Sequence, residues 1–281
     1  MILAMKYGVM KYGVMEGFRM HDTKTMYGLD LDRIGLLHQA KALGFDGVEL
    51  GIGLDYREDP LWTGVDDTRQ SIKEEAKRTS LEVPSICLHL LNYDEHSPAS
   101  LVAEHRAVAK KIIVHTLEAS SKIGVSVILV PFFGTAKLSS SEKIRHLVDE
   151  MKSLAVTAEE KKVYLALETS LYASDLMRVI EKIGSPYVKV YYDTGNSTVA
   201  GYDLVKEIEL LKNSIVQVHV KDSPSGTLGE GSIDFNEVIK ALKDISYGGY
   251  LMLETPSRGD SVKEARKNLD YLKEITEKYS L

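Results

Sequence analysis

Cysteine occurs once, at Cys87, which excludes an internal disulfide framework and any thiolate metal cluster. No apolar run approaches the roughly 18 residues needed to span a bilayer. The opening Met1-Ile-Leu-Ala-Met is too short for a secretory leader and lacks its basic flank. These absences lead us to expect a cytoplasmic protein without a membrane partner. Basic charge is also in deficit: the formal net charge is −6, whereas a nucleic-acid binder needs clustered Lys and Arg to neutralise phosphates. Amides are scarce as well, with five Asn and three Gln against an abundance of Lys and Glu, a balance typical of heat-stable proteins. No Gly-x-Gly-x-x-Gly follows the first strand-like run, which leads instead into Gly17-Phe-Arg-Met-His. An open doubly wound sheet would normally carry a glycine-rich phosphate turn there.

What is present is an alternation of short aliphatic runs with stretches of helical period. The strand-like runs are Tyr12–Glu16, Gly47–Leu50, Val83–Leu88, Ser126–Val130, Val163–Glu168, Val188–Asp193, Ile215–Val220 and Gly249–Glu254. The clearest helical stretches are Leu31–Leu43, Ser71–Arg78, Leu101–Lys122, Ser141–Glu160, Tyr202–Leu211 and Ser261–Lys278. In the fourth of these, Ile144, Leu147, Val148 and Met151 share one face. Eight strands and about eight helices in 281 residues predict an α/β fold, a (β/α)8 TIM barrel forming one domain over residues 1–281, with its core over about 11–279. A direct repeat, Lys6-Tyr-Gly-Val-Met followed by Lys11-Tyr-Gly-Val-Met, offers two first strands for one place. We assign it to the second copy.

Barrel active sites gather at the C-terminal ends of the strands. In the second half those ends read Val-Tyr-Leu-Ala-Leu-Glu168, Val-Lys-Val-Tyr-Tyr-Asp193, Val-Gln-Val-His219-Val and Tyr-Leu-Met-Leu-Glu254. The spacings are each about one βα unit, so consecutive strands deliver Glu168, Asp193, His219 and Glu254 to one rim. Asp, Glu and His total 49 of 281 residues. Four fixed strand ends would therefore all carry one by chance only about once in a thousand, and about 4% of the time if three positions per end are allowed. Strand-end acids can also serve as helix N-caps, but Glu is a poor cap, and Glu168 and Glu254 each close an apolar run. Burying such carboxylates without a cation is costly. Three carboxylates and an imidazole, with no sulfur, make a hard site for one divalent metal ion, with Mn²⁺ or Mg²⁺ suited and Co²⁺ or Zn²⁺ tolerated.

The segments Glu168-Thr-Ser, Asp193-Thr-Gly-Asn196, His219-Val-Lys-Asp222, Leu228-Gly-Glu-Gly-Ser-Ile-Asp-Phe235 and Glu254-Thr-Pro, in this order and spacing, resemble the xylose-isomerase-like TIM barrels. More narrowly, they are similar to the sugar phosphate isomerase/epimerase branch that includes the ketose 3-epimerases. The resemblance implies a metal-dependent isomerase or epimerase of a small ketose or ketose phosphate, most simply a 3-epimerase working through a metal-stabilised enediolate, with Mn²⁺ favoured. It further implies that Glu168 and Glu254, besides binding the metal, act as acid and base on opposite faces of the substrate. Hydroxypyruvate isomerase and inosose dehydratase carry similar strand-end residues on this scaffold and stand as alternatives. The AP endonuclease relatives need extra histidines, one of them where Asn196 stands, and the loop Ser223–Ser232 holds none. A catalytically silent sugar-binding protein would not need to retain all four ligands.

Further candidates for substrate contact are His89 after the third strand, Glu49 near the end of the second, Asn196, Lys221, Glu230 and Arg258. Lys221 is suited to a phosphate or to pairing with Asp222, Glu230 to anchoring its glycine-flanked loop, and Arg258 to a phosphate or a neighbouring subunit. Trp62 is a candidate roof for the site, while His38, His105, His115 and His146 fall in helical patterns and read as structural. The expected partner is a small sugar or sugar phosphate; the subunit count, dimer or tetramer included, is left open.

Overall fold

The structure is a computed structural model that describes residues 10–19, 26–29, 31–64, 67–224, 226–257 and 259–279. Eight parallel strands close a barrel. They are β1 (Lys11–Met15), β2 (Gly47–Ile52), β3 (Glu82–Leu88), β4 (Val127–Phe132), β5 (Tyr164–Thr169), β6 (Val188–Asp193), β7 (Ile215–Val220) and β8 (Tyr250–Leu253). The ring runs in sequence order and is closed by β1, which pairs in parallel with both β8 and β2. The second copy of the pentapeptide repeat supplies β1; the first copy, Met10 apart, lies outside the described residues. Every residue of β4 and of β7 is buried, as expected of parallel strands covered on both faces.

The principal helices are α1 (Arg33–Leu43), α2 (Thr68–Thr79), α3 (Ala103–Ile123), α4 (Ser141–Lys161), α5 (Ala173–Ile183), α6 (Leu204–Leu211), α7 (Phe235–Asp244) and α8 (Ser261–Glu277). Their starts are chemically marked. Asp32, Ser140, Asp203, Asp234 and Asp260 each accept a backbone N–H of the first turn, satisfying donors that the helix itself cannot. The six helices named from the sequence match α1–α4, α6 and α8, with ends displaced by at most three residues. Helices α5 and α7 were not named individually. They span 11 and 10 residues, no shorter than α6 at 8, so length does not distinguish them from the helices that were named. Among the described residues no helix is long and apolar enough to cross a membrane.

By the density of its contacts the chain falls into two compact units. One comprises the described residues up to Glu49, Ala76–Glu82 and those from Tyr192 onward. Its fully buried side chains include Met15, Leu36, Leu37, Leu242, Met252 and Leu269. It also holds a small antiparallel sheet in which Tyr27 pairs with both Phe18 and Pro256. Gly28 makes this turn feasible: its φ is +72°, and a Cβ there would press on the Met15 carbonyl.

The other unit comprises Leu50–Glu75 and Val83–Tyr191, with Ile113, Leu117, Leu129, Leu147, Met151 and Leu167 fully buried. Here polar bonds lace together the loops that follow β3 and β4. Asn92 Oδ1 accepts the Phe133 N–H at 3.0 Å, and Thr135 Oγ1 accepts the Asp94 N–H at 2.9 Å. Asp94 is the hub: Lys143 Nζ of α4 lies 2.8 Å from Oδ1, and Ser100 Oγ donates to Oδ2 at 2.6 Å. Burial alone would raise the Asp94 carboxyl. The hydrogen bonds from Lys143 and Ser100, the Lys143 charge and the His105 ring outweigh it and hold the carboxyl below its ordinary range.

A group depressed in the folded state contributes stability above its unfolded pKa of about 3.9 and loses it as pH falls through the folded value. Asp94→Asn should therefore lower Tm at pH 7, and the gap to wild type should narrow below about pH 4. Thermal melts of both proteins from pH 7 to pH 3 measure this. A gap independent of pH would assign the loss to packing rather than to charge.

Candidate metal centre

Each candidate ligand is fixed by a strand end. Glu168 is the penultimate residue of β5, registered against Pro131 of β4, and is 6% exposed. Asp193 ends β6, His219 lies one residue before the end of β7, and Glu254 follows β8 directly. The Glu254 N–H donates to the Val220 carbonyl, so its backbone is tied to the end of β7. One ligand atom from each of Glu168, Asp193, His219 and Glu254 lies within 4.8 Å of the others, and all four residues are buried.

Asp193 does two jobs. Its Oδ1 accepts the Asn196 N–H at 2.6 Å, capping the short helix Thr194–Val199. Its Oδ2 faces the cluster, 3.7 Å from His219 Nδ1 and 3.0 Å from Lys221 Nζ. Capping thus accounts for one oxygen of the carboxylate and leaves the other for chemistry. Burial pushes the Asp193 carboxyl up, the neighbouring Glu254 adds to the rise, and Lys221 and His219 oppose it.

The imidazole of His219 is held from its far side. Nε2 lies 2.8 Å from Glu49 Oε1, while Nδ1 lies 3.4 Å from Glu254 Oε2 and 3.7 Å from Asp193 Oδ2. The ammonium of Lys221 lies between two of the acids, 3.0 Å from Asp193 Oδ2 and 2.5 Å from Glu254 Oε2. Its backbone is clamped to Thr194: the hydroxyl donates to the Lys221 carbonyl at 2.9 Å and accepts the Lys221 N–H at 3.1 Å. Gly195 lets the lysine chain pass, because a Cβ at that position would collide with Lys221 Cγ. A cation therefore already stands among these carboxylates, and the donor set of carboxylate oxygens and one imidazole nitrogen fits a hard divalent ion.

The remaining sequence candidates are placed as follows. Glu49, expected at the substrate, is fully buried, and its carboxylate is committed to His219. Lys221 pairs with Asp193 and Glu254 rather than Asp222. The carboxylate of Asp222 is instead occupied by the backbone N–H groups of Ser223, Gly229, Gly231 and Ile233 at 2.8–3.3 Å. Asp222 is thus the loop anchor expected of Glu230. Glu230 itself is exposed and paired with Lys267 of α8. Asn196 is half-buried and contributes its N–H to the Asp193 cap. His89 opens a 3₁₀ turn after β3, with Nδ1 3.4 Å from Cys87 Sγ. Arg258 lies outside the described residues. Trp62 packs edge-on against Tyr56 and tilted against His115 of α3, so its ring is spent on packing.

One contact of a named candidate, and one residue near the cluster, were not anticipated. The Glu49–His219 contact was legible in part, since Glu49 sits in the apolar run Gly-Val-Glu-Leu-Gly-Ile, the same signal that singled out Glu168 and Glu254. Tyr27 had no such signal. Burial raises its hydroxyl, with the charge of Lys221 opposing the rise and those of Glu254 and Asp193 adding to it.

The family model for the xylose isomerase-like TIM barrel matches residues 37–275. The L-ribulose-5-phosphate 3-epimerases of Shigella boydii and Escherichia coli are each 29% identical over 257 residues, covering 84% of this chain and 87% of theirs. Among solved structures, an L-ribulose 3-epimerase superposes with a TM-score of 0.81 at 18% identity, covering 96% of this chain and 95% of its own. The 3-keto-D-glucoside 4-epimerase of E. coli gives a TM-score of 0.77 at 20% identity, with 94% and 99% covered. With the matched model spanning β2 through most of α8, the chain belongs to the xylose isomerase-like TIM-barrel family.

Proposed function

We propose that this protein is a divalent-metal-dependent ketose 3-epimerase, acting most simply on a pentulose 5-phosphate. The observation that carries the reading is the convergence of Glu168, Asp193, His219 and Glu254 on one buried point. The curated relatives named as L-ribulose-5-phosphate 3-epimerases support the substrate class. Asp193 and His219 serve as metal ligands alone, Glu168 and Glu254 as ligands and as acid and base. Mn²⁺ is the favoured ion, given the hard donors and the single nitrogen.

A divalent cation in this cluster supplies the positive charge that acidifies the carbon between a ketone and a hydroxyl. The protein supplies the rest. One of Glu168 and Glu254 takes the C3 proton, the other returns a proton to the opposite face, and the C3 configuration is inverted. Such a positioned acid or base contributes about 10²–10⁴-fold. Lys221, ion-paired with Glu254 and Asp193, adds positive charge to the site, which would favour the negative charge that develops when the C3 proton leaves. Burial of the cluster excludes water that would otherwise screen these charges.

Two experiments bear on this reading. Mn²⁺ at about a hundredfold its Kd should stabilise the fold by about 2.7 kcal/mol, a rise in Tm on the order of 5 °C for a chain of this size. Asp193→Asn should abolish that rise while folding normally, because Asn caps a helix as well as Asp does. A wild-type Tm rise in Asp193→Asn would place the metal elsewhere.

The second experiment incubates ketoses and ketose phosphates with the metal-loaded enzyme in D₂O. Deuterium should enter at C3 with epimerisation; entry at C1 instead would make the enzyme an aldose–ketose isomerase. Glu168→Gln and Glu254→Gln should each abolish epimerisation, and one of the two should still deuterate a single epimer. Wild-type epimerisation by either variant refutes the two-base scheme. Metal content measured in parallel separates loss of a base from loss of the ion.

A further inference from the structure

The Glu49 carboxylate is 0% exposed, yet it sits in a strand of otherwise apolar residues. Burying a carboxylate costs several kcal/mol unless strong partners compensate, so its presence needs a reason. Its backbone is fixed twice over: Glu49 is in register with Met15 of β1, and its carbonyl accepts the Glu16 N–H at 2.7 Å. Strands β2 and β7 are not neighbours, since β1 and β8 lie between them in the ring. The 2.8 Å contact between Glu49 Oε1 and His219 Nε2 therefore crosses the interior.

We propose that Glu49 is a positioning residue that sets the orientation and tautomer of His219. An ionised carboxylate only accepts hydrogen bonds, so Nε2 carries the proton and donates it to Glu49. The Nδ1 lone pair is then the coordinating face. It points to the side where Glu254 Oε2 and Asp193 Oδ2 lie at 3.4 and 3.7 Å. Rotation of the ring by a half-turn about Cβ–Cγ would put Cδ2–H where Nδ1 stands and Cε1–H where Nε2 stands, removing both the ligand atom and the donor. The other tautomer would put a proton on Nδ1, where a lone pair is needed. The bond to Glu49 opposes that rotation, and its charge raises the electron density of the imidazole and strengthens it as a ligand. This role replaces the direct substrate contact expected of Glu49 from the sequence. It rests on the metal-site reading for its purpose, although the geometry of the pair does not.

The test uses Glu49→Gln, which keeps the side chain's size and hydrogen-bonding reach and removes its charge, with Glu49→Ala as the more severe change. In the protein without added metal, the His219 Nε2–H proton should resonate far downfield in wild type, bonded to a carboxylate, and should move upfield in Glu49→Gln. By titration calorimetry, Mn²⁺ affinity should fall about 10-fold in Glu49→Gln and up to about 100-fold in Glu49→Ala, the range for loss of a residue that orients a ligand. An unmoved Nε2–H resonance with wild-type Mn²⁺ affinity in Glu49→Gln overturns the proposal. So does a raised KM with both quantities unchanged, which would return Glu49 to the substrate. If wild type binds no Mn²⁺, the metal-site reading fails by itself. The resonance then still decides whether Glu49 positions the ring.

Discussion

Three buried carboxylates and an imidazole share a space less than 5 Å across, and the rest of the rim is arranged around the repulsion this creates. Anions brought so close in a medium of low polarity cannot all stay ionised without positive charge among them. The direction of the Asp193 shift reflects this, with burial and Glu254 pushing the carboxyl up while Lys221 and His219 pull it down. A divalent ion, if bound as proposed, would resolve the conflict with more charge than one ammonium. In the proposed reading the same imbalance underlies the chemistry, because a cation held by these carboxylates would be completed by oxygen ligands.

Holding such a cluster requires that its members cannot relax apart, and the fold meets this with backbone constraints. Glu168, Asp193, His219 and Glu254 all stand at or next to the ends of barrel strands, where the ladder fixes Cα positions. Immediately beyond, polar side chains take over. Thr194 clamps Lys221, and Asp222 gathers four backbone N–H groups of the loop leading to α7. Asp94 does the corresponding work for the loop after β3, gripping Lys143 at the start of α4. A carboxylate at the hub of each loop is cheaper to bury than one left alone, because several donors share its charge. Gly231 belongs to the same device, since any Cβ there would strike the Asp222 carboxylate it approaches.

The alternation of aliphatic runs and helical stretches made the barrel legible, because parallel strands covered on both faces must be apolar throughout and few other arrangements satisfy that many times in succession. Boundaries were less legible: β8 covers Tyr250–Leu253, where the strand-like run was read from Gly249 to Glu254, and α2 starts three residues before its periodicity does. At the rim, Glu230 attracted notice for its glycine neighbours, yet the loop closes around Asp222, a choice made by which carboxylate lies within reach of the inward-pointing N–H groups.

The sequence by itself determined which residues stand at the ends of strands, since that follows from period and spacing along one strand at a time. From those positions came the β/α architecture and the choice of Glu168, Asp193, His219 and Glu254. Only the tertiary structure decided how side chains from different strands meet. That Glu49 reaches across to His219 depends on the closure of the ring, which leaves only β1 and β8 between two strands distant in sequence. That Lys221 turns to Asp193 and Glu254 rather than to its neighbour Asp222 depends on where the next loop spends its N–H groups. Local pattern carries information about a residue's own strand or helix. Electrostatic partnership is decided in three dimensions, because the field at a buried charge comes from whatever the fold places nearest.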